Sequence, residues 1–384
     1  MTVRAILTAD NHLDATSLLF GPDRFQRKRD YLKCFEEVVD YAKKEKPELL
    51  LIGGDLFDIM RPSNSVRAAV MNDLRALAEH GVKVFAVSGH HDTPKSIEEG
   101  ASPLAVYGNS GYMHYFGNPS SPETVTIKLN SCLTSITGAG HNPLHGEGND
   151  PLTAIKSKLD ADFNIILAHA PVQGFEGWTG DEPVIKTASI PKELDLLVVG
   201  HFHNHQSKGV GRAEVIYPGS TERVDFAEEG QEKGFVWVEF DKGGLLSKKF
   251  IKTDARPYKT AEIQFPDTPE PLKSLKDQAA KYLDKETVLR IKVRGVATPI
   301  SLTGYRRSEL VSFCEGKVFH CFVNEDDLVV QATERPSLGS RATPLQELEA
   351  YFRKQMEEAN EEDRAILAEA LRLSQAKLQE AGAW

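Results

Sequence analysis

Seven short apolar runs punctuate the chain up to about Asp254: "VRAIL", "ELLLIG", "KVFAVSG", "FNIILAH", "LDLLVVGH", "EVIYPGS" and "GFVWVEF". Each has the length and the β-branched content of a buried strand, and amphipathic stretches lie between them. Arg29 to Lys44 sets Tyr31, Leu32, Phe35, Val38, Val39 and Ala42 at helical spacing, and Ser65 to His80 does the same with Val66, Val70, Leu74 and Leu77. One apolar stripe per helix and several strands to cover predict a layered α/β domain. The Gly- and Pro-rich segment Gly138 to Asp150 reads as a loop near the strand ends.

Five of the runs end in residues that hold metals. Asp10 and His12 follow "AIL"; Asp55 and Asp58 lie in "GDLFD"; His90, His91 and Asp92 follow "FAVSG"; His169 follows "NIILA"; His201 and His203 lie in "GHFHNH". Ligands of open α/β sheets bind in the crevice beyond the carboxyl ends of the strands, so five such ends converge on one place. A lone Asp or His at a strand end is ordinarily a turn cap or a surface residue, and His80, His114, His145, His205 and His320 read that way. The repeated coincidence at five ends does not. Two divalent ions about 3.5–4 Å apart can clamp a phosphoryl group, with a carboxylate between them. Imidazoles and a further carboxylate complete a mixed shell suited to manganese, iron or zinc.

The rest of the composition narrows the class. A chain of 384 residues is long enough for two domains. Its 46 basic against 56 acidic residues give a net charge of −10, which argues against wrapping nucleic acid with the whole surface. Any polyanion must be met by local basic patches or by metal ions. Cys34, Cys132, Cys314 and Cys321 form no C-x-x-C pair and read as reduced thiols. The absence of a long apolar run or leader predicts a cytoplasmic protein without a membrane segment. After a proline-rich shift near Arg256 to Pro271, "VLRIKVRG" alternates strictly, with Arg290, Lys292 and Arg294 on one face. A loop, Arg335 to Pro344, leads to two helical segments, Leu345 to Ala359 and Glu361 to about Glu380, with Asn360 as a cap.

The order D-x-H, G-D-x-x-D, G-x-H-D, H, G-H-x-H resembles the signature of the calcineurin-like metallophosphoesterases. More narrowly, "GDLFD", "RPS" and "YPGSTERVDFAEEGQEKGF" look like the double-strand-break repair nucleases called SbcD in bacteria and Mre-eleven in eukaryotes. The resemblance implies an α/β sandwich of two mixed β-sheets flanked by helices, a small α+β capping domain and a C-terminal helix pair. The corresponding boundaries are 1–254 for the nuclease domain, 255–335 for the DNA-capping domain and 336–384 for the linker and ATPase-partner segment. It implies two divalent ions, manganese by family habit. Asp10, His12 and His203 would hold one, and His169 and His201, with position 90, the other; Asp55 would bridge. His91 would protonate or stabilise the leaving oxygen, and Asp92 would orient it. Some relatives use a histidine where this chain has Asp58.

His90 stands where the family motif has asparagine. Imidazole is bulkier and softer than the amide oxygen, so the expectation is a weakened or re-tuned second metal position. The resemblance further implies manganese-dependent 3′-to-5′ exonuclease and single-strand endonuclease activity, nucleoid association and homodimerisation, with Ser63 to Leu77 a possible contact. It implies an SbcC/Rad-fifty-type ABC ATPase partner on the C-terminal helices. DNA ends and single strands would meet Arg290, Lys292, Arg294, Arg306 and Arg307, with Arg24, Arg27, Lys28 and Arg29 as further candidates. Two rivals remain at this stage: a small-molecule phosphodiesterase, and a catalytically impaired DNA-end-binding scaffold for the ATPase.

Overall fold

A computed structural model describes residues 2–15, 17–146, 148–177, 182–331 and 343–380. The predicted loop Arg335 to Pro344 falls mostly outside them. The chain divides into two compact units, the first Met1–Ala261 with Tyr282–Arg290 and Cys314–Phe322, the second Glu262–Lys281, Ile291–Phe313 and Val323–Trp384.

The first unit runs β1 (Val3–Thr8), α1 (Arg24–Glu45), β2 (Leu49–Ile52), α2 (Asn64–Glu79), β3 (Lys83–Ala86), α3 (Leu104–Ser110), β4 (His114–Tyr115), β5 (Thr124–Leu129), β6 (Cys132–Ala139), β7 (Phe163–His169), β8 (Leu196–Gly200), β9 (Gln206–Val210), β10 (Ala213–Tyr217), β11 (Gly234–Asp241) and β12 (Gly244–Lys252). Two six-stranded sheets result, in the orders β12-β11-β1-β2-β3-β4 and β5-β6-β7-β8-β10-β9. Both are mixed: β1 to β4 are parallel, and β11 runs antiparallel between β1 and β12, while β6, β7, β8 and β10 are parallel between antiparallel β5 and β9. This is the sandwich that the resemblance implied.

The side-chain period of two sorts each central strand between two cores. Ile6, Leu50, Ile52, Val84 and Ala86 face the stripes of α1 and α2, among them Phe35, Val38, Val70 and Leu74. Their neighbours Ala5, Leu7, Leu49, Leu51 and Phe85 face the other sheet and meet Ile165, Leu167, Leu196 and Val198. The far side of that second sheet, with Ile166, Ala168, Leu197 and Val199, is covered by Leu152, Ile185, Ile190 and Leu194. Strands buried on both faces explain why the runs read as continuous apolar segments.

Edge strands gave no such signal. β9 is only partly buried, and β12 carries exposed serine and lysine. β5 and β6 form a hairpin closed at Leu129↔Cys132, with Asn130 in the left-handed region at φ 52°. β6 extends through Ala139, so the Gly138 loop begins two residues later than its composition implied. Helix α1 starts at Arg24 rather than Arg29, and its C-cap Lys46 sits at φ 50°, returning its N–H to Ala42 O.

The later elements are β13 (Tyr258–Gln264), α4 (Pro271–Ala279), β14 (Val288–Ala297), α5 (Pro299–Thr303), α6 (Arg307–Cys314), β15 (His320–Asn324), β16 (Leu328–Val330), α7 (Pro344–Glu358) and α8 (Glu361–Glu380). Within β14, Leu289, Ile291 and Val293 are buried while Arg290, Lys292 and Arg294 stay partly exposed, as the alternation predicted. Thr343 and Gln346 form a capping box at the start of α7. Asn360 caps α8 through the Asp363 N–H at 2.9 Å. No helix among the described residues is long and apolar enough to cross a membrane.

Candidate metal centre

The loops after β1, β2, β3, β7 and β8 meet at one edge and are cross-braced through their backbones. Asp10 N–H donates to Gly54 O and His12 N–H to Asp55 O, both at 3.0 Å. The Asp55 carboxylate accepts the His91 N–H at 2.8 Å, and the Asp10 carboxylate accepts the His201 N–H at 3.0 Å. Four of the candidate ligands pay for this placement with left-handed backbone: Asp10 at φ 50°, His12 at 48°, Asp55 at 49° and His201 at 109°. Non-glycine residues persist there only where surrounding structure over-determines them. Gly89 has a different reason to be glycine, since a Cβ on it would overlap the Asp55 carboxylate and the His169 ring.

The side chains gather at this edge. Asp10, His12 and His203 can offer ligand atoms within 4.8 Å of one another, and so can His90, His169 and His201. Asp55 groups with Asp10 and His169, between the two sets. Partners outside the ligand sets fix four of the rings. His12 Nδ1 donates to Asp58 Oδ1 at 3.1 Å, His203 Nδ1 to Glu228 Oε1 at 2.7 Å, and His169 Nδ1 to the Gly53 carbonyl at 2.9 Å. His201 Nε2 lies 3.1 Å from Glu182 Oε1. Such outer partners set the tautomer and aim the remaining nitrogen at the ion.

These residues fit a cation pair. His12 Nε2 and His203 Nε2 face each other at 3.0 Å, while each ring's other nitrogen is committed to a carboxylate. Two lone pairs at that distance need a shared positive charge. His169 Nε2 and His90 Nδ1 are buried without an aligned hydrogen-bond partner, although Asp55 Oδ2 is 3.2 Å from the former. Against the pull of burial, the Asp55 carboxylate raises His169 to about 9, and His169 in turn holds Asp55 far below the usual carboxylate range. Glu228, despite its burial, is drawn down to about 2 by His203 and Lys233.

Comparison with known proteins agrees with this geometry. The family model for the calcineurin-like phosphoesterases matches residues 3–205, more than half of the chain. The chain belongs to that family. Among curated relatives, it is 26% identical over 280 residues to the DNA double-strand break repair protein Mre11 of Methanopyrus kandleri, covering 68% of this chain and 61% of that protein. It is 24% identical to the Mre11 of Sulfurisphaera tokodaii, covering 75% of this chain and 73% of that one. An uncharacterized metallophosphoesterase of Bacillus subtilis, YhaO, is 26% identical over 62% of this chain and 58% of its own length.

Within this phosphoesterase, two expected details take a different form. Asp92 does not touch His91; its buried carboxylate accepts the N–H groups of Gly89 at 2.6 Å and Leu56 at 2.9 Å, stapling the loops after β2 and β3. His91 is held instead by the Asp58 carbonyl, which accepts its Nδ1–H at 2.9 Å. Its side chain is 48% exposed, so Nε2 is presented outward. Asp58 thus serves both His12 and His91. Three residues escaped the sequence reading: Glu228, Glu182 and His141, whose ring lies 3.8 Å from that of His90. Glu228 sits inside the quoted "YPGSTERVDFAEEGQEKGF", and His141 inside the loop assigned to the site's neighbourhood.

The basic candidates are partly engaged already. Arg290 donates to Thr260 Oγ1 at 2.9 Å and lies over the Phe226 ring. Arg294 pairs with Glu262 and Asp327 at 2.8 and 3.2 Å. Arg306 donates to the Thr303 and Tyr305 carbonyls. Lys292 is partly exposed and Arg307 exposed. Arg27 is buried against Asp30 and Glu222, and Lys28 is tied to Asp14 at 2.9 Å, so neither is a free phosphate contact.

Proposed function

We propose that this chain is a metal-dependent DNA nuclease subunit of the Mre11/SbcD type, hydrolysing phosphodiester bonds as a 3′-to-5′ exonuclease and single-strand endonuclease. One observation carries the reading: the two ligand sets around Asp55 share one edge with an exposed, oriented His91. The likeness to archaeal DNA double-strand break repair proteins supports DNA as the substrate class. Two divalent ions, manganese as the family resemblance implies, would be held by Asp10, His12 and His203 and by His90, His169 and His201, with Asp55 between. When bound, they supply the positive charge that a phosphodiester needs and that an acidic protein lacks.

The chain's own residues divide the remaining work. Asp58 and Glu228 hold the His12 and His203 rings with one nitrogen turned inward. Asp92 fixes the loop that carries His90 and His91. His91, donating Nδ1–H to the Asp58 carbonyl, turns Nε2 outward, and in its imidazolium form Nε2–H can pass its proton to the leaving oxygen, leaving the neutral ring. Lys292 and Arg307 remain candidates for backbone phosphates, which position a duplex without reading its sequence. Helices α7 and α8 would bind the SbcC/Rad-fifty-type ABC ATPase, and the nuclease would act as a homodimer. In keeping with this, no described side chain of α7 or α8 is buried, and Tyr351, Ile366 and Leu373 are exposed at 49%, 65% and 53%.

The test is cleavage of 3′-labelled duplex and circular single-stranded DNA with manganese, beside bis-p-nitrophenyl phosphate. Cleavage of both DNAs, abolished by chelator, is the expected result. Turnover of the small diester alone would replace the reading with a small-molecule phosphodiesterase.

A further inference from the structure

The two halves of the centre differ in chemistry. One half combines Asp10 with His12 and His203; the other is made of three imidazoles, His90, His169 and His201. The His90 ring lies 4.7 Å from that of His201 and 5.1 Å from that of His169, and its buried Nδ1 has no partner. Behind it stands His141, with ring centroids 3.8 Å apart and planes inclined by 34°. The His141 backbone N–H donates to the Ser88 carbonyl at 3.0 Å, which ties its segment to the loop that carries His90. The cavity beside these rings is lined by Asn142, His145, Pro151, Ala170 and Pro183, with no carboxylate among them.

Nitrogen-rich sets favour zinc over manganese, whereas carboxylate oxygens suit manganese. A tilted ring packed this close against His90 limits its rotation, as outer partners of metal ligands do. We propose that the His90–His169–His201 half selects a zinc-class ion over manganese, and that His141 is the positioning residue that holds the His90 ring for it. The inference rests on the metallophosphoesterase reading of the centre, not on DNA as the substrate.

The test is metal counting rather than catalysis. The metal-free chain is equilibrated with zinc chloride and excess manganese chloride, desalted and analysed for bound metal; cobalt-loaded protein gives a visible spectrum as the second readout. The wild type is expected to retain one zinc per chain. His90→Asn should lower the zinc-over-manganese preference about tenfold or more, and His141→Ala should lower it and alter the cobalt spectrum. His141→Phe, which keeps a packed ring, should preserve both. Circular dichroism confirms folding, and His90→Gln replaces His90→Asn if the latter unfolds. Manganese in both positions of the wild type, or an unchanged zinc preference in the His90 variant, overturns the selectivity. An unaltered cobalt spectrum in His141→Ala overturns the positioning role. Zinc selection in a chain that cuts no DNA would sink the nuclease proposal and leave this one standing.

Discussion

The strand-end loops of the first unit and the helix pair α7–α8 of the second are opposites in how they are held. In the loops, Asp10, His12, Asp55 and His201 are tied by hydrogen bonds between loops and accept left-handed backbone to be there. In the helices, no described side chain is buried, and the clearest tie between them is Gln375 to Glu349 at 2.8 Å. The first arrangement is braced by bonds between its own loops. The second leaves apolar surface facing water, which α7 and α8 do not cover for each other. Damage should therefore spread in the loops and stay local in the helices.

The largest contrast should appear in turnover. Asp55→Ala removes the carboxylate shared by both ligand sets and should slow hydrolysis of bis-p-nitrophenyl phosphate on the order of a thousandfold. Ile366→Glu in α8 should change the same rate by less than about twofold, because it lies in neither ligand set. A large loss in the helix variant would break the contrast. Stability should follow the same division. Leu50→Ala, within the core under α1 and α2, should cost about 3 kcal/mol in a urea titration, whereas Ile366→Glu should stay within about 0.5 kcal/mol.

Glu228→Gln sharpens the account of the loops. It keeps the shape but weakens the hold on His203 Nδ1 and strips the charge opposite Lys233. Metal affinity measured by calorimetry should fall by roughly 10–100-fold; an unchanged affinity would mean that the His203 ring needs no carboxylate. The smallest effect concerns α2. Burial, with Glu36 nearby, pushes Asp73 up from 3.8 to about 6, so its folded-state pKa lies above the unfolded one. Its charge therefore costs stability at neutral pH, and the cost fades as pH falls from about 6 to below 4. Asp73→Asn should raise the melting temperature slightly at pH 7 and leave it unchanged below pH 4.

The same contrast explains how much was readable beforehand. Ligand types at five strand ends were legible because β1, β2, β3, β7 and β8 are buried on both faces, so their apolar runs stand out and their ends are easily located. Their convergence followed from parallel pairing. Asp92 could not be assigned correctly from its place beside His91, because adjacent residues point apart and its carboxylate turned to backbone amides on another loop. His141 was invisible as a site residue for a similar reason, since nothing in its loop announces a ring stacked on His90. Edge strands β9 and β12 lack the two-sided burial that makes a run conspicuous. The amphipathic stripes of α7 and α8 were plain, but periodicity names a face and not what covers it.

The central claim is a two-ion centre around Asp55, and the most direct test is a calorimetric titration of the metal-free chain with manganese, beside Asp55→Ala. The account predicts two ions per wild-type chain and loss of at least one in the variant. A wild type that binds one ion or none, or a variant that still binds two with the same affinity, would contradict it.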